Sequence, residues 1–207
     1  MTKVDAVVTP QSIAEFDTGA FPRALAGLRD QTRSLRHRAL LENLIAHAEL
    51  ENAGDLEGLT RLLSQTRQSY ATFGPLSSQL VSSYEEAVAM YRLMIATGTT
   101  THQYSADHIT VLDHAIITAG TMHLLCPGEL VREMWRVDVD DPTVAHQLSM
   151  RLALVFLFDE DGLSAGEHSY GAGAPIVTPI DGEPPAAFLQ AAARHSSRPG
   201  EATPSSS

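Results

Sequence analysis

The sequence lacks several features that define whole classes of protein. Its 207 residues include one cysteine, Cys126, so no internal disulfide can form. Acidic side chains outnumber basic ones by 25 to 14, and the resulting net charge of −11 disfavours sequence-independent binding to nucleic acid or to an anionic membrane. No apolar run approaches the roughly 20 residues of a membrane span, and the first residues lack a signal-peptide pattern. We therefore expect a cytoplasmic protein that binds neither nucleic acid nor membrane.

Motifs of the common cofactor and metal enzymes are also missing. The sequence has no Walker phosphate loop and no GxGxxG dinucleotide fingerprint. Nine histidines are present, but no HxH, HxxxH or HExxH occurs among them. His102, His108 and His114 are spaced six apart, which suits no compact metal site. We expect a protein that uses neither a cofactor nor a metal ion.

The first half of the chain has the pattern of helices. A long helical stretch is predicted from near Pro22 or Asp30 to Ala53, with Gly54 suited to its left-handed end. Asp55 is placed to cap a second helix over 56–63. After a short strand at 69–73, two overlapping capping boxes at 82–86 can each begin a third helix that ends near residue 97.

The second half has the pattern of antiparallel strands. HITVLD and AIITAGTMHLL are rich in Ile, Val and Thr, and an acidic segment at 129–147 is expected to be irregular. The stretch RLALVFLFDEDGLSAGEHSYG at 151–171 then predicts a β-hairpin, because an apolar run meets an Asp-Gly turn and a more polar return strand. Helices followed by strands indicate an α+β fold, with a curved antiparallel sheet wrapped around three N-terminal helices.

Three segments of the chain, in order, carry a family resemblance. HAELENAGDLEGLTRLL at 47–63, GTMHL at 120–124 and FLFDEDGLSAGEHSYG at 156–171 resemble the first helix, central strand and last hairpin of the NTF2-like superfamily, and are most similar to its SnoaL-like branch. The resemblance implies a cone with a deep pocket, commonly in a homodimer. Members include ketosteroid isomerase, polyketide cyclases and limonene epoxide hydrolase. One departure is Ala172, which stands where the family often has Asp.

Sequence patterns and the resemblance together divide the chain into four parts. We expect an N-terminal arm at 1–20, one NTF2-like domain at 21–180, a C-terminal helical extension at 181–195 and a tail at 196–207. The tail has low sequence complexity and is expected to be disordered.

Candidate catalytic residues lie on the predicted return strand. Side chains alternate along a strand, so His168 and Tyr170 share one face while Glu167 and Ser169 share the other. The family's Tyr lies on the cavity side, which implies that His168 and Tyr170 face the pocket and Glu167 faces outward or into a dimer contact. A register one residue different would reverse this assignment. His123, on the central strand, is the third candidate.

Further residues are candidates for the pocket wall. His47 and Glu51 share one face of a helix and could reach the pocket mouth, but Glu51 and Asp55 are expected to fix the turn between two helices. Four aromatic side chains could line an apolar pocket and stack on a planar ligand. These four are Tyr70, Tyr91, Tyr104 and Trp135.

The expected function is that of an enzyme without a cofactor. By resemblance it is a SnoaL-like cyclase or isomerase that transfers protons on a hydrophobic, polyketide- or terpenoid-like substrate. His168 would be the base or acid, Tyr170 would hydrogen-bond a developing enolate oxygen, and His123 would assist. Ala172 favours a second hypothesis, a non-catalytic ligand-binding or interaction protein.

An epoxide hydrolase is a variant of the enzyme hypothesis. It would need an Asp-Arg-Asp cluster, for which Asp113 and Arg151 are poor candidates. Under every hypothesis the expected partners are a hydrophobic small molecule and a second copy of the chain.

Overall fold

The computed structural model describes residues 9, 10, 12–73, 80–186 and 188–190. A short 3-10 turn, Ile13–Glu15, precedes the α-helices and strands. The helices are α1 Ala20–Gln31, α2 Leu35–Ala53, α3 Leu56–Leu62, α4 Tyr84–Thr97 and α5 Gly128–Trp135. The strands are β1 Ala71–Phe73, β2 His102–Val111, β3 Ala115–Pro127, β4 Ala145–Phe158, β5 Ser164–Gly171 and β6 Ile176–Pro179. The expected tail at 196–207 lies outside the described residues, as do residues 1–8 and 11 of the expected arm and residues 187 and 191–195 of the expected C-terminal extension.

Local signals in the sequence begin and end the helices. The side chain of Asp55 accepts a hydrogen bond from the Gly58 amide at the start of α3. Of the two possible capping boxes, the one that forms pairs Ser83 with Glu86 at the start of α4. Gly54 and Gly98 end α2 and α4 in the left-handed conformation, with φ of 68° and 74°.

Two sequence predictions about the helices are wrong. The helical stretch predicted to begin near Pro22 or Asp30 is divided at 32–34 into α1 and α2. Ser34 has an extended backbone, and its hydroxyl accepts from the His37 amide, which starts α2 anew. The segment at 129–147, expected to be irregular, begins with helix α5 and ends with the first residues of β4. Helix α5 forms because Leu130 and Val131 on one of its faces are buried against the sheet.

One curved, mixed sheet follows the order β1-β5-β4-β3-β2. β1 runs parallel to β5, and the other pairs are antiparallel, including the predicted hairpin of β4 and β5. Strand β4 is long enough to pair with two strands on one side, β6 along His146–Ser149 and β5 along Leu152–Phe158. The fold is α+β, with helices packed into the concave side of the sheet, as the sequence predicted. The sheet was expected to be antiparallel throughout, but the parallel pairing of β1 with β5 makes it mixed.

The apolar core fills the space between the helices and the sheet. Phe21 of α1 meets the ring of Tyr104 edge-on, with ring centroids 5.0 Å apart, and Leu40, Leu41 and Leu44 of α2 pack beside them. A second cluster joins α3 and α4, and a third joins α5 to β3 and β4. These clusters fix the walls of the space that remains open. None of the described helices combines the length and apolarity that a membrane span requires.

Candidate active site

A cavity of about 490 Å³ opens between the concave face of the sheet and helices α2, α4 and α5. Much of its wall is apolar, with side chains from all three helices and from β3, β4 and β5 contributing. Leu44, Met90, Met122, Met150, Leu154 and Phe156 are among the apolar lining residues. A largely apolar cavity of this size suits a small organic molecule.

Strand pairing decides which side chains of β5 reach the cavity. Phe156 and Leu154 of β4 line it, and their partners across the hairpin are Glu167 and Ser169. Paired residues on neighbouring strands project to the same face of a sheet. Glu167 and Ser169 therefore line the cavity.

The expected placement of the catalytic residues is wrong. His168 and Tyr170 project from the opposite face of the sheet, where the His168 Nε2 lies 2.8 Å from the Ser69 hydroxyl. Tyr170 is 43% exposed and stacks on Phe73 with ring centroids 4.8 Å apart. The cause is the register of the β4–β5 hairpin, which turns Glu167 and Ser169 towards the cavity and the alternate residues of β5 away from it.

His123 is also outside the cavity. Its neighbours on β3, Met122 and Leu124, line the cavity, so His123 faces the other side of the sheet. There it is buried, and its Nδ1 lies 2.9 Å from the Ser149 hydroxyl. This satisfied hydrogen bond gives His123 a structural role on the outer face.

The five residues expected in the pocket wall do line the cavity. They are His47, Tyr70, Tyr91, Tyr104 and Trp135. Three of them form a hydrogen-bonded chain: His47 Nε2 lies 2.8 Å from the Tyr91 hydroxyl, which donates to the Tyr70 hydroxyl at 3.3 Å. Because Tyr91 donates its only proton to Tyr70, His47 must donate through Nε2. The Tyr70 hydroxyl accepts from Tyr91 and also forms a hydrogen bond with the Ser164 side chain.

Glu51 lies one helical turn after His47 and shares the cavity with it. Its side chain is 15% exposed, and one carboxyl oxygen lies 3.8 Å from His47 Nε2. Burial raises the pKa of the Glu51 carboxyl to about 7. Burial, and then the neighbouring His102, lower the pKa of His47 to about 4. His47 is therefore neutral near pH 7 and gives Glu51 no cationic partner.

Glu167 places a second carboxyl in the same cavity. Burial, and secondarily the charge of Glu51, raise its pKa to about 8. Among the described residues, no hydrogen bond or ion pair is made by the Glu167 side chain. The two carboxyls interact electrostatically, so their titrations are coupled and belong to the pair. Between about pH 7 and 8 the pair holds about one proton, which leaves one acid and one base in a single apolar space.

Glu51 and Glu167 are the two carboxyl residues of the cavity that the sequence analysis placed elsewhere. Glu51 was expected to fix a helix turn, but Asp55 makes that cap alone among the described residues and Glu51 turns into the cavity. Glu167 was expected to face outward. The i,i+4 spacing of His47 and Glu51 was the one signal in the sequence that pointed to the cavity.

The Asp-Arg-Asp cluster of an epoxide hydrolase is not formed by the expected residues. Arg151 pairs with Asp107 at 2.5 Å and donates to the Thr121 hydroxyl at 3.0 Å, away from the cavity lining. Asp113 lies in the β2–β3 turn and pairs with His37. No arginine or lysine lines the cavity within the described ranges.

No protein-family model matches the sequence, and no curated protein matches it. Solved structures do match. One is a SnoaL-like protein of Shewanella putrefaciens CN-32, provisionally described as a polyketide cyclase; it is 9% identical, with a TM-score of 0.52 over 72% of this chain and 86% of that chain. A similarly described protein of Shewanella denitrificans OS-217 is 10% identical, with a TM-score of 0.49 over 64% and 89%. An LEH-like epoxide hydrolase of M. tuberculosis is 13% identical, with a TM-score of 0.45 over 64% and 82%.

The similarity to the first of these structures shows the fold. The first match, with its element order and cone-shaped sheet, shows that the chain has the NTF2-like fold of SnoaL-like proteins. The resemblance inferred from the three sequence segments is confirmed at the level of fold. Because one fold hosts many activities, function has to be argued from the cavity itself.

Proposed function

We propose that this protein is a cofactor-free enzyme that transfers protons on a hydrophobic small molecule, in the manner of a SnoaL-like cyclase or isomerase. A polyketide- or terpenoid-like substrate suits the size and apolar walls of the cavity. The observation that carries the proposal is the presence of two buried carboxyls, Glu51 and Glu167, with raised pKa values in one cavity. Catalytic acids and bases need pKa values near the working pH, and burial supplies them here.

In this proposal the two carboxyls divide the work. Glu51, with the lower pKa of about 7, is the base that removes a proton from the substrate. Glu167, with a pKa of about 8, is protonated at neutral pH and returns a proton to the product or leaving oxygen. A pair that shares one proton performs both steps without a net change in its own charge.

The chain from His47 through Tyr91 to Tyr70 supplies a hydrogen-bond donor. Burial raises the pKa values of Tyr70 and Tyr91 well above the ordinary value, so both hydroxyls keep their protons. Tyr70, at the end of the chain, would donate to an oxygen on which negative charge develops. Each preorganised donor of this kind stabilises the transition state by about 3 kcal/mol when water is excluded.

A non-catalytic ligand-binding protein on the same scaffold is the second candidate. The observation that favours it is Ala172, directly after β5, where the resemblance implies a carboxylate. In that case the cavity would bind the same hydrophobic ligands without turnover. The two candidates differ in whether Glu51 acts as a base.

Elimination of 5-nitrobenzisoxazole separates the candidates. This neutral, planar substrate reacts in one step: a base removes the ring C–H proton, the N–O bond breaks and a coloured cyanophenolate forms. We expect turnover whose rate rises with an apparent pKa near 7, the pKa of Glu51. Glu51→Gln should lower kcat/KM by about 100-fold or more, the usual contribution of a positioned base.

Glu49→Gln is the matched control, because Glu49 is an exposed carboxyl on the same helix. It should turn over the substrate like the wild type. If the wild type and Glu51→Gln react at the same rate while both remain folded, Glu51 is no base and the ligand-binding candidate is favoured.

A further inference from the structure

Three carboxyl side chains are among the described residues that line the cavity. Glu51 and Glu167 lie inside, and Glu133 of α5 places a third, exposed carboxyl among the lining residues, where the cavity meets solvent. No lysine or arginine lines the cavity within the part of the chain that the structure describes. The negative charge of the cavity is therefore not balanced by the protein's own cations.

The other titratable groups that face the carboxyls stay neutral near pH 7. Burial lowers the pKa values of both cavity histidines, His47 of α2 and His102 of β2. Tyr70, Tyr91 and Tyr104 are protonated, because burial raises their pKa values. None of these groups can supply the missing positive charge.

An unbalanced carboxylate in an apolar site is costly, since burial removes the water that would solvate it. The protein lessens this cost by keeping one proton on the Glu51–Glu167 pair near neutral pH. A cation that enters the cavity would remove the remaining cost. Charge complementarity therefore selects against anionic ligands and in favour of cationic ones.

The walls of the cavity are suited to an organic cation in particular. The rings of Phe21, Tyr70, Tyr91, Tyr104 and Trp135 line it together with aliphatic side chains. Aromatic faces attract an ammonium group through the ring quadrupole, and the aliphatic walls bury the attached hydrocarbon. A metal ion or a small hydrated cation would leave these walls without a partner.

We propose that the ligand of this cavity is a hydrophobic amine, bound with its ammonium group between the carboxyls of Glu51 and Glu167 and its hydrocarbon part against the apolar wall. The proposal rests on the same cavity as the proposed function and adds the charge class of its ligand.

A dependence on pH follows from this arrangement. The ammonium favours the ionised carboxyls, so its binding lowers their pKa values and releases a proton near neutral pH. As pH rises from 6 to 8, the two carboxyls lose their protons and the affinity for the amine increases. A neutral ligand has no reason to follow this trend.

Three probes with one hydrocarbon chain test the proposal: octylamine, octan-1-ol and octanoate. Trp135 is the only tryptophan in the chain and lines the cavity, so its fluorescence reports binding. At pH 8 we expect octylamine to bind about tenfold or more tightly than either other probe, and at pH 6 that preference should shrink. Glu51→Gln and Glu167→Gln should each weaken octylamine binding, while Glu49→Gln should not.

Equal binding of octylamine and octan-1-ol, or tighter binding of octanoate, would overturn the proposal. That result leaves the proposed function untouched if 5-nitrobenzisoxazole, which is neutral, is still turned over. Selective binding of octylamine without any elimination of 5-nitrobenzisoxazole would instead retain the amine ligand and contradict the catalytic role of Glu51.

Discussion

Replacing Glu167 with glutamine is expected to stabilise the fold at alkaline pH. In the folded protein the pKa of Glu167 is about 8, against an ordinary value of 4.5. Between these values the folded state holds a proton that the unfolded state has released, so stability falls as pH rises. At about 1.4 kcal/mol per pH unit, the loss reaches about 5 kcal/mol above pH 8. The glutamine side chain keeps the shape of the protonated carboxyl and has no proton to lose.

Urea unfolding at pH 5, 7 and 9, followed by the fluorescence of Trp135, measures this effect. The difference in unfolding free energy between Glu167→Gln and the wild type should grow with pH and approach its full value at pH 9. Glu49→Gln should give a constant difference. If the unfolding free energies of Glu167→Gln and the wild type fall in parallel as pH rises, the pKa of Glu167 is not raised in the folded protein. The description of the cavity as holding a protonated carboxyl is then wrong.

The comparison between variants is needed because His47 contributes with the opposite sign. Its folded-state pKa of about 4 lies below the ordinary 6.5. Stability from this group is complete above pH 6.5 and is lost as pH falls towards 4. As pH rises, the unfolding free energy of the wild type therefore increases through His47 and decreases through the carboxyls. Only the difference between the wild type and Glu167→Gln isolates the contribution of Glu167.

Further predictions test other parts of the account. Tyr91→Phe breaks the chain to His47 and should cost about 1–2 kcal/mol of unfolding free energy in urea titration. His168→Ala should leave the elimination rate unchanged, because this residue lies outside the cavity; a large loss would restore it as a candidate base. Gly166→Ala should destabilise the fold by more than about 3 kcal/mol in thermal unfolding, because φ is +124° and a Cβ would collide with the backbone oxygen of Ser69. A homodimer, expected from the resemblance, would give twice the chain mass of 22.3 kDa in light scattering, and a mass of one chain would refute it.

Much of the fold could be predicted from short sequence patterns, because local chemistry determines those parts. Gly54 ends a helix through its own backbone freedom, and Asp55 caps the next one through a single hydrogen bond. The hairpin follows from an apolar run and an Asp-Gly turn. The break at Ser34 was not predicted, because the residues on both sides of it favour helix. The capping hydrogen bond of the Ser34 hydroxyl is the local feature that separates the two helices.

The sequence could not show which alternate side chains of β5 face the cavity. Strand β4 is apolar on both faces, so it does not indicate which face lies inside the cone. The register also shifts between Leu157 and Phe158, where Gly166 adopts a positive φ against the backbone of Ser69. A shift of this kind exchanges inward and outward residues. Glu167 was assigned outward because the resemblance places the strand's Tyr on the cavity side, and that placement does not hold for this chain.

The most direct test of the account is the titration of the carboxyl carbons by ¹³C NMR, with Glu51 and Glu167 assigned through their glutamine variants. We predict two coupled titrations near pH 7 and 8, with one signal missing in each variant and the pKa of Glu167 lowered in Glu51→Gln. If every glutamate in the folded protein titrates near its ordinary pKa of 4.5, the cavity contains no acid–base pair, and the proposed function is wrong.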